Sequence, residues 1–331
     1  MAEGEPTMRK WMVMVDGSAV SGKAFDAVCS FMDIQHIKGG RDDITVCHAC
    51  DPKVDAELPF HMRGSRILNS YDTNLIKARR IYDEGGKGHL TCHTLSLSFD
   101  KDGPVVPVAQ LEWAQGVGNV ENAPPVVACL IRAVHQTVHP DLLFMGSFGM
   151  GGKKVGLNGS VTDYVIRLVN CTVVIIKHWR PVPKLNESRV FVVAIDESPA
   201  SLKALTVILS LAKPDDKVLG LTVSRHQGPK DQEIMDRASQ LVAANSKTAL
   251  PTIRMQWAEH KEGRGSAAAT ICAKAEELEA DYLVIGSVNT ARGSKNRDNI
   301  CTLGSTALYC STHSKCHSII VKPTLEEVRN S

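Results

Sequence analysis

The chain carries one apolar pattern twice, and this repeat limits what it can fold into more than any other feature. Trp11-Met-Val-Met-Val-Asp16-Gly-Ser18 is an apolar run ending in an acid, and Val190-Phe-Val-Val-Ala-Ile-Asp196-Glu-Ser198 repeats it. Each run leads into apolar residues at helical spacing: Val20, Ala24, Val28, Phe31 and Met32 first, then Leu202, Leu205, Leu209 and Ala212. Asp42-Asp-Ile-Thr-Val-Cys-His-Ala-Cys50 corresponds to Asp215-Asp-Lys-Val-Leu-Gly-Leu-Thr-Val223, and Pro140-Asp-Leu-Leu-Phe-Met-Gly-Ser147 to Ala280-Asp-Tyr-Leu-Val-Ile-Gly-Ser287. Both copies close on a β-rich run, Cys171-Thr-Val-Val-Ile-Ile-Lys177 and Cys316-His-Ser-Ile-Ile-Val-Lys322. Self-similarity on this scale marks two copies of one unit.

Apolar strands alternating with helical stretches imply a parallel sheet in each copy. A strand, a crossover helix and a second strand form a right-handed unit by default. The predicted architecture is therefore α/β: two doubly wound, Rossmann-like domains in tandem, each an open parallel five-stranded sheet. The boundaries read as 8–177, a linker at 178–187, and 188–323. Trp179-Arg-Pro-Val-Pro-Lys-Leu-Asn186 reads as extended chain. A length of 331 residues suits two domains with proper cores. The first copy carries inserts at about Pro52–Thr73 and Ser96–Asn122, the latter rich in turn residues.

A formal charge of +2 lacks the basic excess of a nucleic-acid binder, and Trp113, Trp179 and Trp257 are not interleaved with basic residues. Neither a secretory leader nor an apolar run of membrane-spanning length is visible, which makes the cytoplasm the expected location. The ten cysteines sit within strand and helix patterns and are expected to be reduced.

Between Met145 and Thr162 the chain reads Met-Gly-Ser-Phe-Gly-Met-Gly-Gly-Lys-Lys-Val-Gly-Leu-Asn-Gly-Ser-Val-Thr. An apolar strand precedes this loop and a helical segment from Ser160 to Asn170 follows. A strand, a glycine loop and a helix start make an anion cradle, because the first N–H groups of a helix have no intrahelical partner. Glycines allow positive φ and close backbone approach. The loop lacks the Gly-Lys-Ser/Thr ending of a Walker A motif. Lys153 and Lys154 either flank a polyphosphate or form a solvated face. Asp16, at a strand end facing the same crevice, reads as a hydrogen-bond acceptor for a bound ligand, or else as a helix cap. In Cys47-His48-Ala49-Cys50 the cysteines point to opposite strand faces and read as core residues, with no metal site expected. Cys310, His313, Cys316 and His317 have metal-like spacing but read as packing.

Gly146-Ser-Phe-Gly149, nine residues, then Gly159-Ser160 resembles the nucleotide-binding loop of the universal stress protein family, and Gly159-Ser-Val-Thr162 its last helix start. The whole chain looks like a tandem member. The resemblance implies adenosine contacts at Asp16 and around Ala49, and phosphate contacts at Gly146, Gly149, Gly159, Ser160 and Val161. Gly17, Met145, Phe148 and Thr162 complete the candidate set, with no catalytic residue assigned. The implied ligand is ATP, or ADP or AMP, with magnesium carried by the phosphates. The resemblance also implies pairing through the last strand, as an internal pseudo-dimer or a homodimer.

The second copy departs from the pattern. Asn289 replaces the second glycine, and Gly286 to Gly304 spans 18 positions against 13 from Gly146 to Gly159. Its candidates, Asp196, Val223, Gly286, Gly304 and Ser305, are expected to bind weakly or not at all, unless Arg292, Lys295 and Arg297 meet phosphates. Three functions follow: a nucleotide-binding stress-response regulator acting on an unidentified protein partner, a slow ATPase using the same site, or a pairing scaffold with vestigial sites. Phosphoryl transfer needs a positioned base and charge stabilisation that this loop does not display, so at most weak ATP hydrolysis is expected.

Overall fold

The computed structural model describes residues 9–31, 40–59, 63–85, 88–99, 124–149, 154–155, 158–184, 186–244, 251–260, 266–287 and 303–322. Gly151, Gly152, Lys153, Asn289, Arg292, Lys295, Arg297, Met32 and most of the Ser96–Asn122 insert lie outside them.

The first half runs β1 (Arg9–Met14), α1 (Ala19–Phe31), β2 (Gly40–Cys50), α2 (Pro52–Glu57), α3 (Gly64–Gly85), β3 (Gly88–Ser98), α4 (Pro125–Arg132) and β4 (Leu142–Gly146). It continues through the two-residue strands β5 (Lys154–Val155) and β6 (Asn158–Gly159), α5 (Ser160–Leu168) and β7 (Thr172–Ile176). The second half runs β8 (Val190–Ala194), α6 (Pro199–Leu211), β9 (Lys217–Ser224), α7 (Pro229–Ala244) and β10 (Thr252–Glu259). It closes with α8 (Ala267–Glu277), β11 (Tyr282–Gly286), α9 (Ser305–His313) and β12 (His317–Val321). The Pro52–Thr73 insert forms α2 and the start of α3. Beyond Arg132, α4 widens into a π-helical segment over 133–138 and stops at His139, which takes a left-handed φ of 49°.

Serine side chains set the starts of α1 and α6. Ser18 Oγ accepts the Ser21 amide at 3.2 Å ahead of α1, and Ser198 Oγ accepts the Ser201 amide at 3.3 Å ahead of α6, which opens on Pro199. The expected stripe on α6 is shifted: Ala204, Leu205, Ile208 and Leu211 are buried, whereas Leu202 and Leu209 are only partly so. Helical side chains lean toward the N-terminus, so the residues that reach the sheet differ from a stripe drawn by spacing alone.

Strand order is β10-β9-β8-β11-β12-β7-β4-β1-β2-β3. Each half contributes five parallel strands in the order third, second, first, fourth, fifth. The halves meet where β7 and β12 pair antiparallel, with Val174 opposite Ile319. The tandem units thus share one ten-stranded sheet. Side chains alternate between its faces. Met12, Met14, Leu143, Val173 and Ile175 pack under α4, α5, α8 and α9, and Trp11, Val13, Phe144, Val174 and Phe191 under α1, α3, α6 and α7.

The junction is also fixed by polar contacts. Arg189, fully buried, donates from Nε at 3.0 Å and Nη2 at 2.7 Å to Asp216 Oδ2, and reaches the Ser30 carbonyl of the first half from Nη1 at 3.4 Å. Its guanidinium lies 4.5 Å from the centre of the Phe31 ring. Phe31 in turn meets Phe144 of its own half and Phe191 and Tyr282 of the other. The connecting segment is strapped down: Lys23 Nζ donates to the His178 carbonyl at 2.6 Å and Trp179 Nε1 to the Lys315 carbonyl at 2.8 Å. Among the described residues no helix is long and apolar enough to cross a membrane.

Candidate functional site

β1 and β4 are neighbours, yet α1 leaves to one face of the sheet and α5 to the other. Between such diverging connections the strand ends of an open α/β sheet leave a crevice. Here it is a cavity of about 240 Å³ on the α4/α5 side. In register, Met14 lies beside Cys47 on β2 and Met145 on β4, giving an apolar floor. Val126 and Leu130 of α4 and Phe99 after β3 form a wall.

Asp16 is the acidic residue of the lining. Asp16 Oδ1 accepts the Ser18 amide at 3.0 Å, and the Asp16 amide donates to Ser21 Oγ at 3.2 Å. The cap of α1 is therefore Ser18, with Asp16 closing the turn before it. The other carboxylate oxygen faces the loop after β4, where a Cβ on Gly149 would lie only 2.5 Å from it. Gly149 is thus the residue that lets the loop pass Asp16.

The start of α5 borders the same cavity. Gly159 occupies its N-cap position with no side-chain cap, which leaves the first-turn amides of the helix without that partner. Ser160, Val161 and Thr162 line the cavity there. The Thr162 hydroxyl is committed to the Gly146 carbonyl at 2.9 Å and ties α5 to β4. The Gly159 amide donates to the Ser147 carbonyl at 2.6 Å. Beneath this start Lys177, fully buried, donates to Asn158 Oδ1 at 2.8 Å and to the Ser311 carbonyl of the second half at 2.6 Å. Burial pushes its ammonium down to about 7. The α5 end of the cavity is therefore braced from the far half of the molecule.

Ten of the eleven first-half candidates, all except Gly17, line this one cavity. Gly17 lies in the turn after Asp16 with a φ of +82° and abuts Ile67. Among the described residues it is the glycine with a positive φ; Gly159 is extended at −79°. Gly146 is required by packing, since a Cβ there would meet Val20 of α1 at 2.8 Å.

Sequence reasoning missed Met14, Val15, Ser21, Cys47, Phe99, Val126 and Leu130 among the lining. Met14 and Val15 carried a signal, being the strand end beside Asp16. Phe99, Val126 and Leu130 carried none, because they reach the cavity only through the placement of β3 and α4. Cys50, expected in the core with Cys47, is partly exposed. Cys310 and Cys316 are buried, and His317 bridges the Lys177 amide and the Pro181 carbonyl, so these three serve packing and the junction, whereas His313 is exposed and stacks on Tyr309 of its own helix.

In the second half, Asp196 repeats the turn, accepting the Ser198 amide at 2.9 Å and the Ser198 hydroxyl. Its cleft, about 60 Å³, is shared with Lys230, Glu233 and Arg237 of α7 and takes in none of Val223, Gly286, Gly304 or Ser305. Gly286 packs against the α6 start, where a Cβ would meet the Ala200 backbone at 2.4 Å. Gly304 heads α9 without a side-chain cap, as Gly159 heads α5. Val223 packs, partly buried, under the α8/α9 face.

A doubly wound half with a cleft at its switch point defines a class of ligand-binding α/β units. The universal stress protein family model matches residues 126–177 and 187–322, more than half of the chain, and the chain belongs to that family. No curated protein matches it. Among solved structures it is similar to a functionally unknown protein from Pseudomonas aeruginosa PAO1, at 15% identity over 97% of this chain and 95% of that one, with a TM-score of 0.51. It is also similar to the cytoplasmic domain of a prokaryotic cation chloride cotransporter, at 11% identity over 98% and 100% of the two chains, TM-score 0.51. A universal stress protein family protein from Arabidopsis thaliana with AMP bound is 18% identical over 42% of this chain and 94% of its own, TM-score 0.31.

Proposed function

We infer that this chain binds one adenine nucleotide in the first-half cavity and acts as a stress-response regulator through that occupancy. One observation carries the reading. A single cavity is lined by the Asp16 carboxylate, by the N-terminus of α5 and by an apolar floor. An acceptor suits ribose hydroxyls or an adenine amino group, apolar walls suit a base, and helix-start amides suit phosphate oxygens. ATP, with magnesium held by its phosphates, is the fullest occupant; ADP and AMP use the same features. Among the described lining residues, Asp16 and Cys47 are the ionisable ones. Phosphoryl transfer needs a positioned base together with charge stabilisation, and these two groups do not supply both, so binding is favoured over turnover, with slow hydrolysis the most such a site supports. The separate cleft at Asp196 favours a second half that completes the sheet and braces the first through Lys177.

Equilibrium dialysis with ATP, ADP and AMP tests this, with about one nucleotide per chain expected. Gly159→Val is expected to abolish uptake while cooperative unfolding persists, because a Cβ at Gly159 has room, its nearest neighbour being the Ser147 carbonyl at 3.4 Å, and the added methyls enter the cavity. No uptake at millimolar nucleotide, or unchanged affinity in the variant, overturns the assignment.

A further inference from the structure

We propose that His48, Cys50 and Asp55 form a binding site for a divalent transition-metal ion of borderline softness, zinc(II) foremost, behind the wall of the first-half cavity. One ligand atom from each of the three lies within 4.8 Å of the other two. His48 and Cys50 are two residues apart on β2 and so leave the same face of the strand, while Ala49 between them lines the cavity. Asp55 comes from the first turn of α2, which begins immediately after the strand because Asp51 caps it, with Oδ1 accepting the Lys53 amide at 2.9 Å.

Three features make this more than a chance grouping. The His48 side chain is buried, and its Nδ1 lies 2.7 Å from the Val15 carbonyl. A carbonyl only accepts, so Nδ1 carries the proton and Nε2 presents a lone pair, the tautomer and outer contact that metal-binding imidazoles commonly use. The Asp55 carboxylate is oriented by the Gly64 amide, which donates to Oδ1 at 2.6 Å. Gly64 also supplies the room. A Cβ there would sit 2.9 Å from His48 Nε2 and 3.3 Å from Cys50 Sγ, so imidazole and thiol face the same point across a residue with no side chain.

One nitrogen, one sulfur and one oxygen donor suit zinc or its analogue cobalt(II) and leave a fourth tetrahedral position for water. Bond lengths of about 2.0–2.3 Å put neighbouring donors roughly 3.5 Å apart, so the trio closes by about an ångström on binding. Cys50 and Asp55 are partly exposed, which gives the ion a way in. On coordination the Cys50 thiol releases its proton to water and binds as thiolate. The site uses none of the residues assigned to nucleotide, and its test requires no nucleotide.

Full-length protein, stripped with chelator and dialysed, would be titrated with cobalt(II) and zinc(II) while absorption and heat are followed. One equivalent is expected, with a sulfur-to-cobalt charge-transfer band. Cys50→Ser is expected to abolish the band, and Asp55→Asn to weaken zinc about tenfold or more, a loss of about 1.4 kcal/mol per decade. Gly64→Ala, which crowds the imidazole, should weaken it as well, whereas Cys29→Ser should leave band and affinity unchanged. Thermal melts should rise with zinc in the native chain and not in Cys50→Ser. A band that survives in Cys50→Ser places the thiolate elsewhere and overturns the proposal. So do equal zinc affinities in the native chain and Asp55→Asn, or no band at all.

Discussion

At the residue scale, Arg189 is a charged group held in the interior away from the cavity. It is fully buried with Asp216, and its remaining donors reach the Leu211 and Ser30 carbonyls. Two charges taken out of water are tolerable only as a matched pair, and removing one strands the other. Asp216→Ala is therefore expected to destabilise the fold by about 3–5 kcal/mol, read as a lowered urea midpoint. A loss under about 1 kcal/mol, the range of an exposed pair, would mean that water reaches the guanidinium. Nothing in the sequence around Arg189 announces this role; both Asp216 and Ser30 are brought to it by the fold.

Among the elements, β12 shows how a strand couples the halves through protonation. The Lys177 amide of the first half donates to His317 Nδ1 at 3.0 Å, and His317 Nε2 lies 3.0 Å from the Pro181 carbonyl. This is a neutral imidazole with its proton on Nε2. Burial, together with the nearby Arg180, Lys177 and Lys23, pushes its pKa down to about 4 from 6.5. Between those values the unfolded chain takes up a proton that the fold does not, so stability falls as pH drops from 6.5 towards 4. Denaturation midpoints measured across that window should show a shallower acid slope in His317→Asn, which cannot titrate. Identical slopes would show that His317 is protonated in the fold. The sequence marked the Cys310–His317 stretch by its metal-like spacing. What it could not show is that His317 faces the other half, because that depends on the antiparallel register of β7 and β12.

For the whole molecule, the shared sheet has a direct consequence. All five residues of β7 are buried, and β12 covers the edge that β7 would otherwise present. A long apolar edge left open pairs with whatever strand it meets. Residues 9–184 expressed alone are expected to dimerise or aggregate, and light scattering would show it; a stable monomer would mean that the first half closes its own edge. The same halves differ as sites. The Asp16 and Asp196 turns are alike, yet Asp16 opens onto the α4/α5 side beside the α5 start, whereas Asp196 shares a cleft with α7.

The sequence by itself determined the repeat, a parallel sheet within each half, and the grouping of Asp16 with the Gly146–Thr162 loop. These follow from local patterns: apolar periodicity, strand-end acids and glycine spacing. Tertiary structure alone decided which residues wall the cavity from α4, that Lys177 braces the α5 start from beneath, and that Asp55 of α2 and Gly64 of α3 meet His48 and Cys50. Such contacts join segments far apart in the chain, or depend on the face to which a side chain points. They exist only once ten strands are placed side by side. Periodicity reports how one segment meets the core, whereas a site is made where several segments end together.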